Sequence, residues 1–202
     1  MTADTLNLLV ALPAEAKPVI RAYDLRRLQP DGAFPRYGRG PLTLVLSGPG
    51  RDAAGSAVAY MLEMSANSHS HWINLGIAGH ARLRPGDCLL ADKLLDVSSG
   101  RHWMLDPVTC LPGIDVGPLR CVVNAETDFA VNAGYDMESA AIAQALARFN
   151  ALSKLQVLKV VSDNPSNPSR RINARMVSEL IEGGLPTLEA LIHHLQPHAQ
   201  TR

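Results

Sequence analysis

Short apolar runs constrain what this chain can fold into more than any other feature. Leu6–Leu12 (LNLLVAL), Leu42–Ser47 (LTLVLS) and Leu155–Ser162 (LQVLKVVS) are largely hydrophobic, with little of the alternation of a strand wetted on one face. Such runs belong to strands covered on both faces. Helical patterns lie between them. Glu15–Tyr23 carries Pro18 near its first turn, Arg51–Ser65 is Ala-rich, and Glu138–Phe149 is apolar on most sides. Trp72–Leu75, which breaks at GIAGH (76–80), Asp87–Val97 and Leu119–Asn124 read as further strands. A C-terminal helix is expected over roughly Ile172–Leu195, interrupted at Gly183-Gly184. Strands alternating with helices predict an α/β chain, a central mixed or largely parallel sheet with helices on its faces. We find no internal repeat, low-complexity stretch or dividing linker, so one three-layer domain over residues 1–202 is expected, with a frayed tail after about 196.

Charge and composition exclude several classes of function. Nineteen basic and nineteen acidic residues cancel, and the Lys and Arg are scattered. That argues against nucleic acid or an anionic membrane as the main partner. No apolar run approaches the roughly 20 residues that span a bilayer. MTADTLN lacks a basic leader, and Cys88, Cys110 and Cys121 have no CxxC spacing, so a cytoplasmic protein with reduced thiols is expected. His80 and the other histidines show no ligand spacing, and neither a metal nor another cofactor is expected.

Acids interrupt the apolar pattern in a telling place. Asp136 and Glu138 in GYDMESAAIAQALARF (134–149), and Asp163 in KVVSDNP (159–165), sit inside or at the edge of apolar segments. An ionised carboxylate there costs several kcal/mol, about 3–5 when left unpaired, unless it is paired, protonated or used. Ordinary roles exist for each. Asp163 before Asn-Pro suits a turn cap, and Glu138 and Glu15 suit the first turn of a helix. Asp136 reads as structural, near a helix start, and Met137 as core. Yet Glu15, the turn at 48–50, the turn at 76–80 and Asp163 all follow strand ends, where ligands gather in α/β sheets. They point to one cleft.

In order, ALPAEA (11–16), LSGPGRDAA (46–54), INLGIAGH (73–80), PGDCLLAD (85–92), YDMESAAIAQ (135–144) and VVSDNP (160–165) resemble the nucleoside phosphorylase/nucleosidase superfamily. The nearest branch holds the methylthioadenosine/S-adenosylhomocysteine nucleosidases, and the likeness covers most of Leu6–Asn164. It implies a purine nucleoside substrate and cleavage of its N-glycosidic bond. Asp163 matches the family's acid, which protonates or hydrogen-bonds the departing base. Glu138 matches the glutamate on the ribose hydroxyls, and Glu15 the one that activates water. Ser47, Gly48, Ala78, Gly79, Met137 and Phe129 are the other implied substrate contacts. The family also implies a homodimer.

The chemistry explains the acids. Cleavage builds positive charge on the sugar and negative charge on the base, so an acid and a base are needed on opposite sides, as in an inverting glycosidase. Phosphorolysis is the alternative, using phosphate in place of water. The family's phosphate turn carries a hydroxyl where this chain has Ile77, and the phosphorylase Arg position reads Asn74. Ser47, Arg51 and the amides of 48–50 remain as donors. The segment between Asn124 and Glu138 is shorter than the family's, which suggests an unusual substrate, a more open cleft or a wall completed by a neighbouring subunit. A binding-only nucleoside sensor is a second alternative. From another class, Gly48-Pro49-Gly50-Arg51-Asp52-Ala53 fits the G-x-G-x-x-A dinucleotide turn. The strand that follows ends at Gly76 without the expected acid, which argues against it.

Overall fold

The computed structural model describes residues 5–195 apart from 31, 65–69, 110, 112 and 127. Ser65, Cys110 and the expected frayed tail therefore lie outside the described residues. Among the described residues ten strands form one mixed sheet, and four α-helices flank it. In chain order the elements are β1 (Leu6–Val10), α1 (Pro13–Ala22), β2 (Arg26–Leu28), β3 (Arg36–Arg39), β4 (Leu42–Leu46), α2 (Arg51–Met64) and β5 (His71–His80). There follow β6 (Cys88–Asp96), β7 (His102–Met104), β8 (Asp115–Cys121), β9 (Gly134–Asp136), α3 (Ser139–Arg148), β10 (Leu155–Asp163) and α4 (Ala174–Leu195).

The pairing combines an open sheet with a closed ring. β2, β3, β4, β1 and β5 run side by side, with β1 parallel to both β4 and β5. β5 also pairs with β10 in parallel and with β9 in antiparallel, and β10–β6–β8–β9 complete a ring back to β5. Closing the sheet removes free edges there. Two short edges remain among the described residues: β7, which pairs with β6, and β2, three residues of which two are arginines, which blunts it.

Alternation along β1, β5 and β10 divides the core in two. Leu6, Leu8, Leu75, Leu158 and Val160 join Ala16, Val19, Ile181 and Leu188 on the α1/α4 face. Leu9, Trp72 and Val157 join Ala57, Val58, Ile142 and Leu146 on the α2/α3 face. Burying both faces explains the continuous apolar runs. Among the described residues no helix is long and apolar enough to cross a membrane.

Several boundaries differ from the sequence reading. β5 does not stop at Leu75; it continues through GIAGH to His80, because β10 pairs with it from Trp72 to Gly79. Glycines read as a break are here strand residues under a crowded site. β8 begins at Asp115 and ends at Cys121, since β6 pairs with it from Leu89↔Asp115 onward. Pro118 sits where that register shifts, before β9 pairing begins at Leu119, so its missing N–H leaves no gap in a ladder. α4 is not interrupted at Gly183-Gly184. A Cβ on Gly184 would lie 2.7 Å from Val160 Cγ2, so this glycine lets the helix press on β10. α1 starts at Pro13, which puts Pro18 in its interior.

Candidate active site

Glu15 stands at the third position of α1, and its carboxylate turns back over the end of β1. Oε2 accepts the Ala11 and Leu12 N–H groups at 3.1 and 2.9 Å, and Oε1 accepts the Ile77 N–H at 2.9 Å. The helix-start role and the site role therefore coincide. Oε2 is saturated, whereas Oε1 keeps one lone pair. A Cβ on Gly76 would lie 2.9 Å from Oε1 and 3.4 Å from Lys159 Nζ, so only glycine leaves room for both groups. Burial pushes the Glu15 carboxyl up, against the lowering effect of the Ile77 N–H and of Lys159.

Lys159, which the sequence reading passed over, is coupled to these acids. It lies on the buried strand β10, 2 % exposed, with Nζ 2.9 Å from Asp136 Oδ2. Burial works to lower its pKa, but Asp136, Glu138 and Glu15 together outweigh this and hold the ammonium above its ordinary value. A lysine in a strand covered on both faces was the available signal. Asp136 also accepts the Ser139 N–H at 3.0 Å and the Ser139 hydroxyl at 2.7 Å, and so caps α3.

Glu138 precedes α3, where Oε1 accepts the Gly50 N–H at 2.8 Å. Burial raises its pKa, with Lys159 working against that. Gly50 needs its φ of +91° to present the amide, and Gly48, at +83°, opens the same turn. Asp163 ends β10, 5 % exposed, with Oδ1 accepting the Ser162 hydroxyl at 2.5 Å. Its Oδ2 has no hydrogen-bond partner among the described residues. Burial pushes this carboxyl up, partly offset by the Ser162 hydroxyl.

These acids line one cavity of about 290 Å³ at the carboxyl ends of β1, β5 and β10. Ala78, Gly79, Phe129, Met137, Glu138, Asp163 and Glu15 all contribute to its wall. Gly79 is tightly placed: a Cβ there would lie 2.7 Å from Phe129 Cε1 and 3.1 Å from Asp163 Oδ2. Phe129, at φ +47°, packs edge-on against Tyr135 with centroids 5.4 Å apart. Ser47 and Gly48 do not line the cavity; the Ser47 hydroxyl instead lies 2.8 Å from Gly48 O and 3.3 Å from Val10 O. Arg51 is also occupied. Its guanidinium grips Asp96 through two contacts of 2.9 and 2.5 Å, where Ser98 and Ser99 add hydroxyls. Among the described residues no group of three or more His, Cys, Asp or Glu side chains is arranged to hold a metal ion.

No protein-family model and no curated protein sequence matches this chain. Solved structures do match, along nearly its whole length. The apo 5′-methylthioadenosine nucleosidase of Arabidopsis thaliana superposes with a TM-score of 0.83 at 14% identity, over 100% of this chain and 98% of that one. A Helicobacter pylori methylthioadenosine nucleosidase mutant with 5′-methylthioadenosine in its active site gives 0.78 at 13%, over 96% and 100%. The Streptococcus pyogenes S-adenosylhomocysteine nucleosidase in complex with 5-methylthiotubericidin gives 0.74 at 22%, over 98% of each chain. The chain thus has the fold of the methylthioadenosine/S-adenosylhomocysteine nucleosidases.

Proposed function

We propose that this protein cleaves the N-glycosidic bond of a purine nucleoside with water. The observation that carries the reading is the meeting of three separately anchored acids around one cavity, Glu15, Glu138 and Asp163. Their positions around the cavity support three distinct roles. Asp163, pushed toward the protonated form by burial, delivers a proton from Oδ2 to the imidazole nitrogen of the leaving base. Glu138 accepts hydrogen bonds from the ribose hydroxyls and stabilises the cationic sugar. Glu15 takes the proton of the attacking water on the free lone pair of Oε1, a role worth about 10²–10⁴-fold in rate. The Lys159 ammonium draws the pKa values of Glu15 and Glu138 down, against the raising effect of their burial. Met137 and Phe129 supply apolar wall, and Ala78 and Gly79 leave space for the base. The 5′-methylthioadenosine and the 5-methylthiotubericidin held by the structurally similar bacterial enzymes are in keeping with this ligand class. A homodimer, its second copy covering the open side, belongs to the same reading.

Phosphorolysis is disfavoured because the donors that would hold phosphate are engaged elsewhere. The Gly50 N–H is given to Glu138, Arg51 to Asp96, and the Ser47 hydroxyl to backbone carbonyls. Ile77 offers no hydroxyl. A dinucleotide reading of the 48–50 turn meets the same objection, since its Gly50 amide already serves a carboxylate. The test is product analysis in ¹⁸O-labelled water with phosphate present. Labelled free ribose supports hydrolysis, ribose 1-phosphate makes the protein a phosphorylase, and tight binding with neither product makes it a sensor.

A further inference from the structure

Arg51 is a cation at the first position of α2, where a positive charge opposes the helix dipole. Its guanidinium reaches across to Asp96 at the end of β6, with contacts of 2.9 and 2.5 Å to the two carboxylate oxygens. Nη1 also lies 3.7 Å from Cys121 Sγ at the end of β8. Asp96 is locked in turn. The Ser98 N–H and hydroxyl donate to Oδ1 at 3.0 and 2.7 Å, and the Ser99 hydroxyl to Oδ2 at 2.7 Å. Burial works to raise the Asp96 pKa, but Arg51 and the two serines outweigh it and hold the carboxyl well below the usual carboxylate range. An ion pair of this kind gains little net stability over apolar residues of the same shape; what it supplies is a fixed position.

The position it fixes is that of a bond at the cavity. Gly50, the residue before Arg51, accepts the Ala54 N–H at 3.1 Å in the first turn of α2 and gives its own N–H to Glu138 Oε1 at 2.8 Å. At φ +91° and without a side chain, Gly50 cannot anchor itself. Pro49 of the same turn borders the cavity. On the other side of the bond, Glu138 follows β9, which β8 holds through the pairing of Cys121 with Asp136. Arg51 thus adjoins the donor along the chain and touches the strand that carries the acceptor.

We propose that the Arg51–Asp96 pair positions Glu138, holding the first turn of α2 where the Gly50 N–H fixes that carboxylate for the ribose hydroxyls. This rests on the nucleoside-cleaving function proposed above. Arg51 and Asp96 are positioning residues, and neither is among the described residues that line the cavity.

The test uses the full chain as wild type, Arg51→Lys, Arg51→Met and Asp96→Asn. The substrates are whichever of adenosine and inosine the wild type cleaves, and the 2′-deoxy counterpart of that nucleoside. Arg51→Met should lower kcat/KM for the ribonucleoside by at least about tenfold, the scale of one hydrogen bond to a charged group. The loss on the deoxy compound should be several-fold smaller, because a hydroxyl that Glu138 serves is absent. Arg51→Lys, which keeps the charge, and Asp96→Asn, which keeps an acceptor, should fall between wild type and Arg51→Met. The Gly50 amide proton, followed by NMR, decides without turnover. Bonded to a carboxylate it resonates downfield, and it should move upfield in Arg51→Lys and Asp96→Asn as it does in Glu138→Gln. Equal losses on the two nucleosides mean general destabilisation and overturn the proposal. So does a Gly50 amide that stays in place in every variant of the pair. Purine release by none of the proteins, wild type included, removes the nucleoside reading itself, and this proposal with it.

Discussion

Replacing Lys159 with Met tests how the acids are kept together. The side chain is 2 % exposed and pairs at 2.9 Å with Asp136, while Glu15 and Glu138 lie within its field. Methionine fills much the same volume, so packing changes little and the charge is the perturbation. Removing one partner of a buried pair strands the other, at a cost of about 3–5 kcal/mol. For a chain of this size each kcal/mol shifts Tm by roughly 2–4 °C, so the variant should melt roughly 6–20 °C lower. Asp136→Asn in the Lys159→Met background should recover part of that loss, a coupling of about 0.5–3 kcal/mol.

The pH dependence has a definite sign. Glu15 and Glu138 already have raised pKa values in the folded state, and losing Lys159 raises them further. A carboxyl with a raised folded pKa binds more protons folded than unfolded, so it destabilises as pH rises through that pKa. The deficit of Lys159→Met should therefore be larger at pH 8 than at pH 5. Thermal melts of wild type, single and double variants across that range make the measurement. A single variant within about 1 kcal/mol of wild type at pH 8 refutes the electrostatic account.

Two further outcomes follow from local geometry. Gly79→Ala puts a methyl 2.7 Å from the Phe129 ring and 3.1 Å from Asp163 Oδ2, so it should lose stability by about 1–3 kcal/mol and weaken nucleoside binding; unchanged binding in a titration would contradict the placement of that wall. His80 Nδ1 accepts the Arg82 and Leu83 N–H groups at 2.9 Å each, and burial lowers its pKa against the opposing pull of Asp115 and Asp87. The unfolded chain then takes up the proton first, so stability should decline as pH falls below about 6.5, and His80→Asn should flatten that slope in urea melts.

The sequence was informative where a residue was chemically out of place. Glu15, Glu138 and Asp163 are acids in apolar surroundings at strand ends, and the folded chain gathers them around one cavity. Lys159 has the same character, yet within LQVLKVVS it passed as part of a strand pattern. Its role depends on Asp136, 23 positions away, which no local pattern reveals. Glycine misled in the other direction. Gly76 and Gly79 look like breaks, but β10 holds them in strand, and their missing side chains are space for Glu15, Lys159, Phe129 and Asp163. The three-residue strand β9 was illegible because only its partners β5 and β8 define it. Ser47 and Gly48 were selected as substrate contacts from the motif, whereas their part in the fold is to shape the turn that brings Gly50 to Glu138.

The central claim is that Asp163 protonates a purine while water, activated by Glu15, attacks the sugar. The most direct measurement is single-turnover purine release in phosphate-free buffer from adenine and hypoxanthine nucleosides, 5′-thio derivatives included. Wild type, Asp163→Asn and Glu15→Gln would be compared, with binding measured in parallel. The account predicts release by wild type, a loss of about 10²–10⁴-fold in each variant, and nucleoside binding retained in both. Release that is unaffected by either substitution, or that begins only when phosphate is added, would contradict it.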